Sequence, residues 1–129
     1  MTVERVKSDL RLIKYGRSDI DGMISTLERK KKHLAFLMET KASQNYIKRI
    51  RAFIENKEKE INDKIYQLDD LEQRYEEAIS SLDVIDRLVI REGIFGGKTH
   101  CELAELLGYS VRGIESRMQR VFEKLAAFD

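Results

Sequence analysis

The chain has 129 residues, 36% of them charged, a formal net charge of +1, no proline, no tryptophan and one cysteine. That accommodates one domain or two small ones, favours long exposed helices over a thick core, and gives no bulk-charge argument for nucleic acid. A membrane span (~18 apolar residues), a signal peptide after Met1, an intramolecular disulfide and a metal site built from Cys101, His33 and His100 are all excluded, so the expectation is a soluble cytoplasmic protein with no metal, no cofactor and no membrane partner.

From the amino terminus, Val3, Val6, Leu10, Ile13, Ile20, Ile24, Leu27, Leu34 and Met38 recur three and four residues apart, with Arg17 and Lys31 in the missing slots. This is the heptad signature of a coiled-coil seam. A second seam follows, made of Ile47, Ile50, Ile54, Ile61, Leu68, Leu71, Tyr75, Ala78 and Leu82, with Lys57 and Lys64 interrupting it. The short polar stretch "ETKASQNY" joins the two.

Equal lengths and a short connection predict an antiparallel helical hairpin over residues 1–82, each arm about 50 Å long. A helix with one apolar stripe needs a partner, either the other arm or a second chain, so homo-oligomerisation belongs to the expectation. Ser43 is placed to cap the second arm. Gly16 and Gly22 each cost about 1 kcal/mol relative to alanine inside the first arm. Ser18 with Asp21 resembles a helix start, which leaves an unbroken arm and one broken near Gly16 both open.

Charge is split along the hairpin. Arg29 to Arg51 holds eight Lys or Arg and one acid, Glu39, whereas Ala52 to Asp86 holds four bases and eleven acids. A solvated surface, a phosphate-contacting tip and self-association of basic tip with acidic stem are the three readings.

Residues 83–129 change pattern. "DVIDRLVIREG" carries Val84, Ile85, Leu88 and Val89 on one face, with Gly93 as its terminator. Gly96 and Gly97 mark a turn. Thr99 and Glu102 then form a capping box that starts a helix carrying Leu103, Leu106 and Leu107. Gly108 ends it, and Ser110 caps a last helix with Ile114, Met118, Val121, Leu125 and Phe128 as its apolar stripe.

Opposite that stripe lie Arg112, Glu115, Ser116, Gln119 and Arg120, while Arg117 and Lys124 flank it. Ala104, four residues before Gly108, leaves room for two helices to cross closely. A short helix, a glycine-led turn and an exposed helix bearing arginine, glutamine and serine form a helix-turn-helix whose outer side chains suit phosphates and base edges. Seven bases against eight acids in residues 83–129 mean that affinity must come from local arrangement, from the basic tip or from dimerisation.

"KTHCELAELLGYSVRGIESRMQRVFEKL" resembles the fourth region of bacterial sigma-70-type factors, with Leu103, Ala104, Leu107, Gly108, Ser110, Ile114, Ser116, Arg117, Arg120, Lys124 and Leu125 in matching positions. "LDVIDRLVIREGIFG" resembles the helix preceding that motif. The layout is also similar to small phage transcription regulators of the ArpU/RinA-like group. The resemblance implies that Arg112, Glu115, Ser116 and Gln119 face bases of double-stranded DNA while Arg117 and Arg120 meet phosphates, and that the domain docks on RNA polymerase. Glu115 departs from the Lys or Arg of many relatives, although an acid can accept from cytosine N4. The other sigma regions are absent, which argues against a complete initiation factor.

The combined expectation is an all-α chain, a hairpin at 1–82 and a helix-turn-helix domain at 83–129, acting as a phage or prophage DNA-binding transcription regulator. A small-terminase-like packaging adaptor and a coiled-coil scaffold are the rivals. No nucleophile–base pair, phosphate-cradling glycine loop or metal cluster marks an enzyme.

Overall fold

The computed structural model describes residues 1–128, so the last residue of the expected 83–129 segment lies outside the described residues. The described chain is all-α. Helix α1 spans Val3–Glu39 and α2 spans Gln44–Ser80. They run antiparallel: Lys31 pairs with Glu58, Arg17 with Asp69, and Asp9 with Tyr75, so positions climb in one helix as they descend in the other.

Helix α1 is unbroken through both of its glycines. A methyl at Gly16 would sit 3.0 Å from both terminal carbons of Leu68, so the glycine permits close approach of the two helices there. Gly22 faces open space. The seam stabilises the helix beyond these two local costs, and neither position needs a non-helical conformation.

Between the arms, Lys41 adopts a left-handed conformation, φ 56°, and the Ala42 amide donates to the Leu37 carbonyl. That bond closes a helix cap of the kind usually built on glycine. Ser43 precedes α2 and accepts from the Ile47 amide through its carbonyl.

The chain divides into two compact units: Met1–Lys14 with Asp70–Asp129, and Tyr15–Asp69. The change of hydrophobic pattern at 82/83 is therefore not where the compact units part. In the first unit the base of the hairpin shares one core with the carboxy-terminal helices. Val6, Leu10, Leu71, Tyr75, Ala78, Ile79 and Leu82 cluster with Val89, Ile90, Leu103, Ala104, Ile114, Met118, Val121, Phe122 and Leu125. The second unit buries a single file of Ile20, Leu27, Ile47, Ile50, Ile54, Ile61 and Leu68.

After α2, Asp83 caps α3 (Val84–Leu88), its side chain accepting from the Asp86 amide at 2.8 Å. The helix does not stop at Gly93. It continues as a π-helical stretch over Val89–Phe95, in which the Gly96 amide donates to the Arg91 carbonyl five residues back. Widening the turn changes which residues face inward. Val89 and Ile90 are fully buried, Ile85 and Leu88 are half-buried, and Val84 is exposed rather than part of the apolar face. Gly93 serves close packing instead of termination: a methyl there would meet Leu103 Cδ1 at 2.8 Å and Met118 Cε at 3.2 Å. The turn at Gly96–Gly97 uses a left-handed Gly97, φ 74°.

Among the described residues, no helix is long and apolar enough to cross a membrane.

Candidate nucleic-acid interface

Helices α4 (His100–Leu107) and α5 (Val111–Ala127) are set by local chemistry at three ends. Thr99 Oγ1 accepts from the Glu102 amide and Glu102 Oε1 accepts from the Thr99 amide, both at 3.2 Å. These reciprocal bonds satisfy two otherwise free helix-start amides, and they hold the Glu102 carboxyl below the usual carboxylate range. Gly108 ends α4 in the left-handed conformation, φ 72°, where a side chain would strain the backbone. The Tyr109 amide then bonds back to the Ala104 carbonyl. Ser110 Oγ accepts from the Gly113 amide at 3.0 Å and starts α5.

Helix α5 is held by its inner face. Ile114, Met118, Val121, Phe122 and Leu125 are buried against Leu103 and Ala104 of α4 and the π-helical stretch. Phe122 joins this face although the spacing did not include it, and Phe128, which the spacing did include, does not. Phe128 lies just past the helix in extended backbone and is exposed, because the helical repeat stops at Ala127. Leu106 is likewise exposed, while Leu103 and Ala104 carry the contact.

The outer face presents Arg112, Glu115, Ser116, Gln119 and Arg120 to solvent. Arg112, Ser116 and Gln119 follow one another at i, i+4 and i+7, so they line up along one exposed edge. Gln119 Nε2 donates to Glu123 Oε1 at 3.4 Å, a long contact that leaves the amide free to re-pair. Glu115 Oε1 lies 3.6 Å from His100 Nδ1 across the turn, beyond hydrogen-bond length.

Arg117 stands apart from this set. Its guanidinium donates to Asp86 Oδ1 at 2.8 Å, approaches Asp83 at 3.8 Å and lies over the Tyr109 ring, 5.3 Å from its centre. Only 23% of its side chain is accessible. The phosphate role implied by the resemblance does not suit this placement: the charge is already spent on a buried carboxylate, which a phosphate would have to displace.

Asp86 is the organising group that the sequence reading missed. It is 2% exposed, and Lys124 Nζ and Arg117 Nη1 each donate to one of its oxygens at 2.8 Å. Burial alone pushes this carboxyl up, but the hydrogen bonds and charges of Lys124 and Arg117 outweigh burial and hold it below its ordinary value. Arg117 and Lys124 lie seven residues apart on one edge of the apolar stripe. That spacing was the available signal, since two cations on one helix edge can converge on a single acid.

No clusters of three or more metal-ligating side chains occur among the described residues. What the α4–α5 arrangement can do chemically is present a rigid, two-turn edge of hydrogen-bonding side chains. An α-helix fits the major groove of B-form DNA. Compared with protein-family models, curated proteins and solved structures, the chain matches none.

Proposed function

We propose that the chain is a sequence-specific double-stranded-DNA-binding transcription regulator of phage or prophage type, acting in the cytoplasm, with α5 as the reading helix. The single observation that supports this is the exposed edge of Arg112, Ser116 and Gln119 on a helix whose opposite face is fixed in a core and whose start is capped after a left-handed glycine. Arg112 suits guanine O6 and N7, Gln119 suits adenine N6 and N7, and Ser116 serves either. Arg120 contacts phosphate, which sets register without reading sequence. RNA polymerase is the second partner in this reading, and the hairpin carries self-association.

Selection of binding sites from a random duplex pool by the full chain is the test. One discrete motif supports the reading. Arg112→Ala or Gln119→Ala then relaxes preference at one position, at a cost of about 1–3 kcal/mol. Arg120→Ala weakens all sequences alike. A folded triple alanine variant that binds the motif as tightly as the parent would overturn the assignment, and enrichment confined to a packaging site would replace the regulator with a packaging adaptor.

A further inference from the structure

The second compact unit carries a surface that α5 does not explain. Arg29, Lys31, Lys32, Lys41, Lys48, Arg49 and Arg51 are exposed, and Lys30 is half-buried. Among the described residues, Lys31 is the one of these eight with a carboxylate in ion-pair range, Glu58 at 2.9 Å. Three of the others meet neutral groups: Arg29 donates to Thr26 Oγ1, Arg51 to Met38 Sδ, and Lys30 lies 5.5 Å from the centre of the Phe53 ring. Thr26, Arg29, Lys30 and His33 line a shallow open groove along α1.

The acids of α2 differ. Glu58 pairs with Lys31, Glu60 with Lys57 and Lys64, Asp69 with Arg17, and Asp70 with Arg74. Glu58, Glu60, Asp69 and Asp70 thus hold cations of their own chain, whereas at the basic end, among the described residues, Lys31 alone holds a carboxylate. A second copy of this chain would have to break those pairs to offer the carboxylates they hold. A phosphate polyanion offers uncompensated charge, and it also relieves the mutual repulsion of the clustered cations.

Two of the rings at this end are already engaged. Phe53 is approached by two ammonium groups, Lys30 at 5.5 Å and Lys57 at 5.8 Å, and Tyr46 meets His33 edge to face. A ring approached by two cations is not a bare stacking platform, which favours backbone contact over base stacking at Phe53.

We infer that the basic end of the hairpin, centred on Arg29, Lys30, Lys32, Lys48 and Arg49, is a sequence-independent binding surface for the phosphate backbone of duplex DNA. This goes beyond the α5 reading and stands without it.

The test uses the full chain and a labelled duplex of arbitrary sequence, titrated by fluorescence anisotropy across a salt series. In the variant Arg29→Glu, Lys30→Glu, Lys32→Glu, affinity falls about tenfold or more, and the log–log salt slope shrinks by about two to three. Circular dichroism and sedimentation stay unchanged. The milder Lys48→Gln, Arg49→Gln variant on the other helix weakens binding in the same direction. Because the effect does not pass through α5, the triple variant causes the same loss whether or not Arg112→Ala and Gln119→Ala are present. Unchanged affinity and slope overturn the inference. So does a loss that tracks a change in sedimenting mass, which identifies a second copy as the occupant, and so does tighter binding of the single strand than of the duplex.

Discussion

The two compact units bury apolar surface in different ways. Residues 1–14 with 70–128 surround one clustered core, in which Val6, Val89, Leu103, Ile114 and Val121 are fully enclosed. Residues 15–69 bury a single file of side chains between two helices, and the most enclosed of them, Ile47, keeps some exposure. Core side chains of the first unit are enclosed by several elements, whereas those of the second are covered by two helices alone. Enclosure, rather than hydrophobicity of the residue type, therefore sets what a substitution costs.

Two leucines on the same helix test this most strongly. Leu10 is enclosed in the clustered core, and Leu27 sits in the single-file seam. Leu10→Ala is expected to cost about 3–5 kcal/mol and Leu27→Ala about 2 kcal/mol, by urea unfolding followed by circular dichroism. Equal losses would break the comparison. Because Leu10 belongs to the hairpin, its loss also loosens the α4–α5 core, so the isolated segment from residue 83 onward is predicted to lack stable packing.

The next effect separates the units by pH. The lowered Asp86 carboxyl belongs to the clustered core. A group whose folded pKa lies below its unfolded value contributes stability above the unfolded value, about 4 for a carboxylate, and loses it as pH falls through the folded value. Asp86→Asn is expected to cost about 1–3 kcal/mol at neutral pH, with the deficit closing in strong acid. Urea midpoints of parent and variant, compared at neutral pH and at about pH 2, check both the size and the sign.

The smallest effect sharpens the account of α1. A methyl at Gly22 meets nothing, so Gly22→Ala is expected to stabilise by about 0.5–1 kcal/mol. At Gly16 the methyl meets Leu68 at 3.0 Å, so the gain there is smaller or reversed. Thermal unfolding of the two variants side by side reads the difference.

The same division explains what was legible in the sequence. Helices α1 and α2 follow from heptad spacing, and the Thr99–Glu102, Gly108 and Ser110 signals are short-range, so each could be read from a few residues. The π-helical stretch could not, because Gly93 looks like a terminator until Leu103 and Met118 are brought against it from elsewhere in the chain. Among the candidate site residues, spacing placed Arg112, Glu115, Ser116, Gln119 and Arg120 on the exposed face. Spacing left Arg117 on the margin, and only the position of Asp86, 31 residues away, decides that it turns inward. The basic end was visible as composition. That Lys31 alone of its eight cations holds a carboxylate, among the described residues, required the pairing across the two arms.

Tyr75 adds an optical consequence. Its hydroxyl donates to Asp9 Oδ2 at 2.7 Å within the clustered core, and Arg5 holds the other oxygen of that carboxylate at 3.1 Å. Burial, then the bond and charge of Asp9, push the phenol's ionisation above its ordinary value. The chain has no tryptophan and five tyrosines, so its near-ultraviolet absorbance has no indole to mask a phenolate signal. Tyr75 is thus a built-in reporter. Its phenolate appears above the ordinary tyrosine range in an alkaline titration, and that late signal reports on its surroundings in the core joining the hairpin base to the carboxy-terminal helices, with no label attached to the protein.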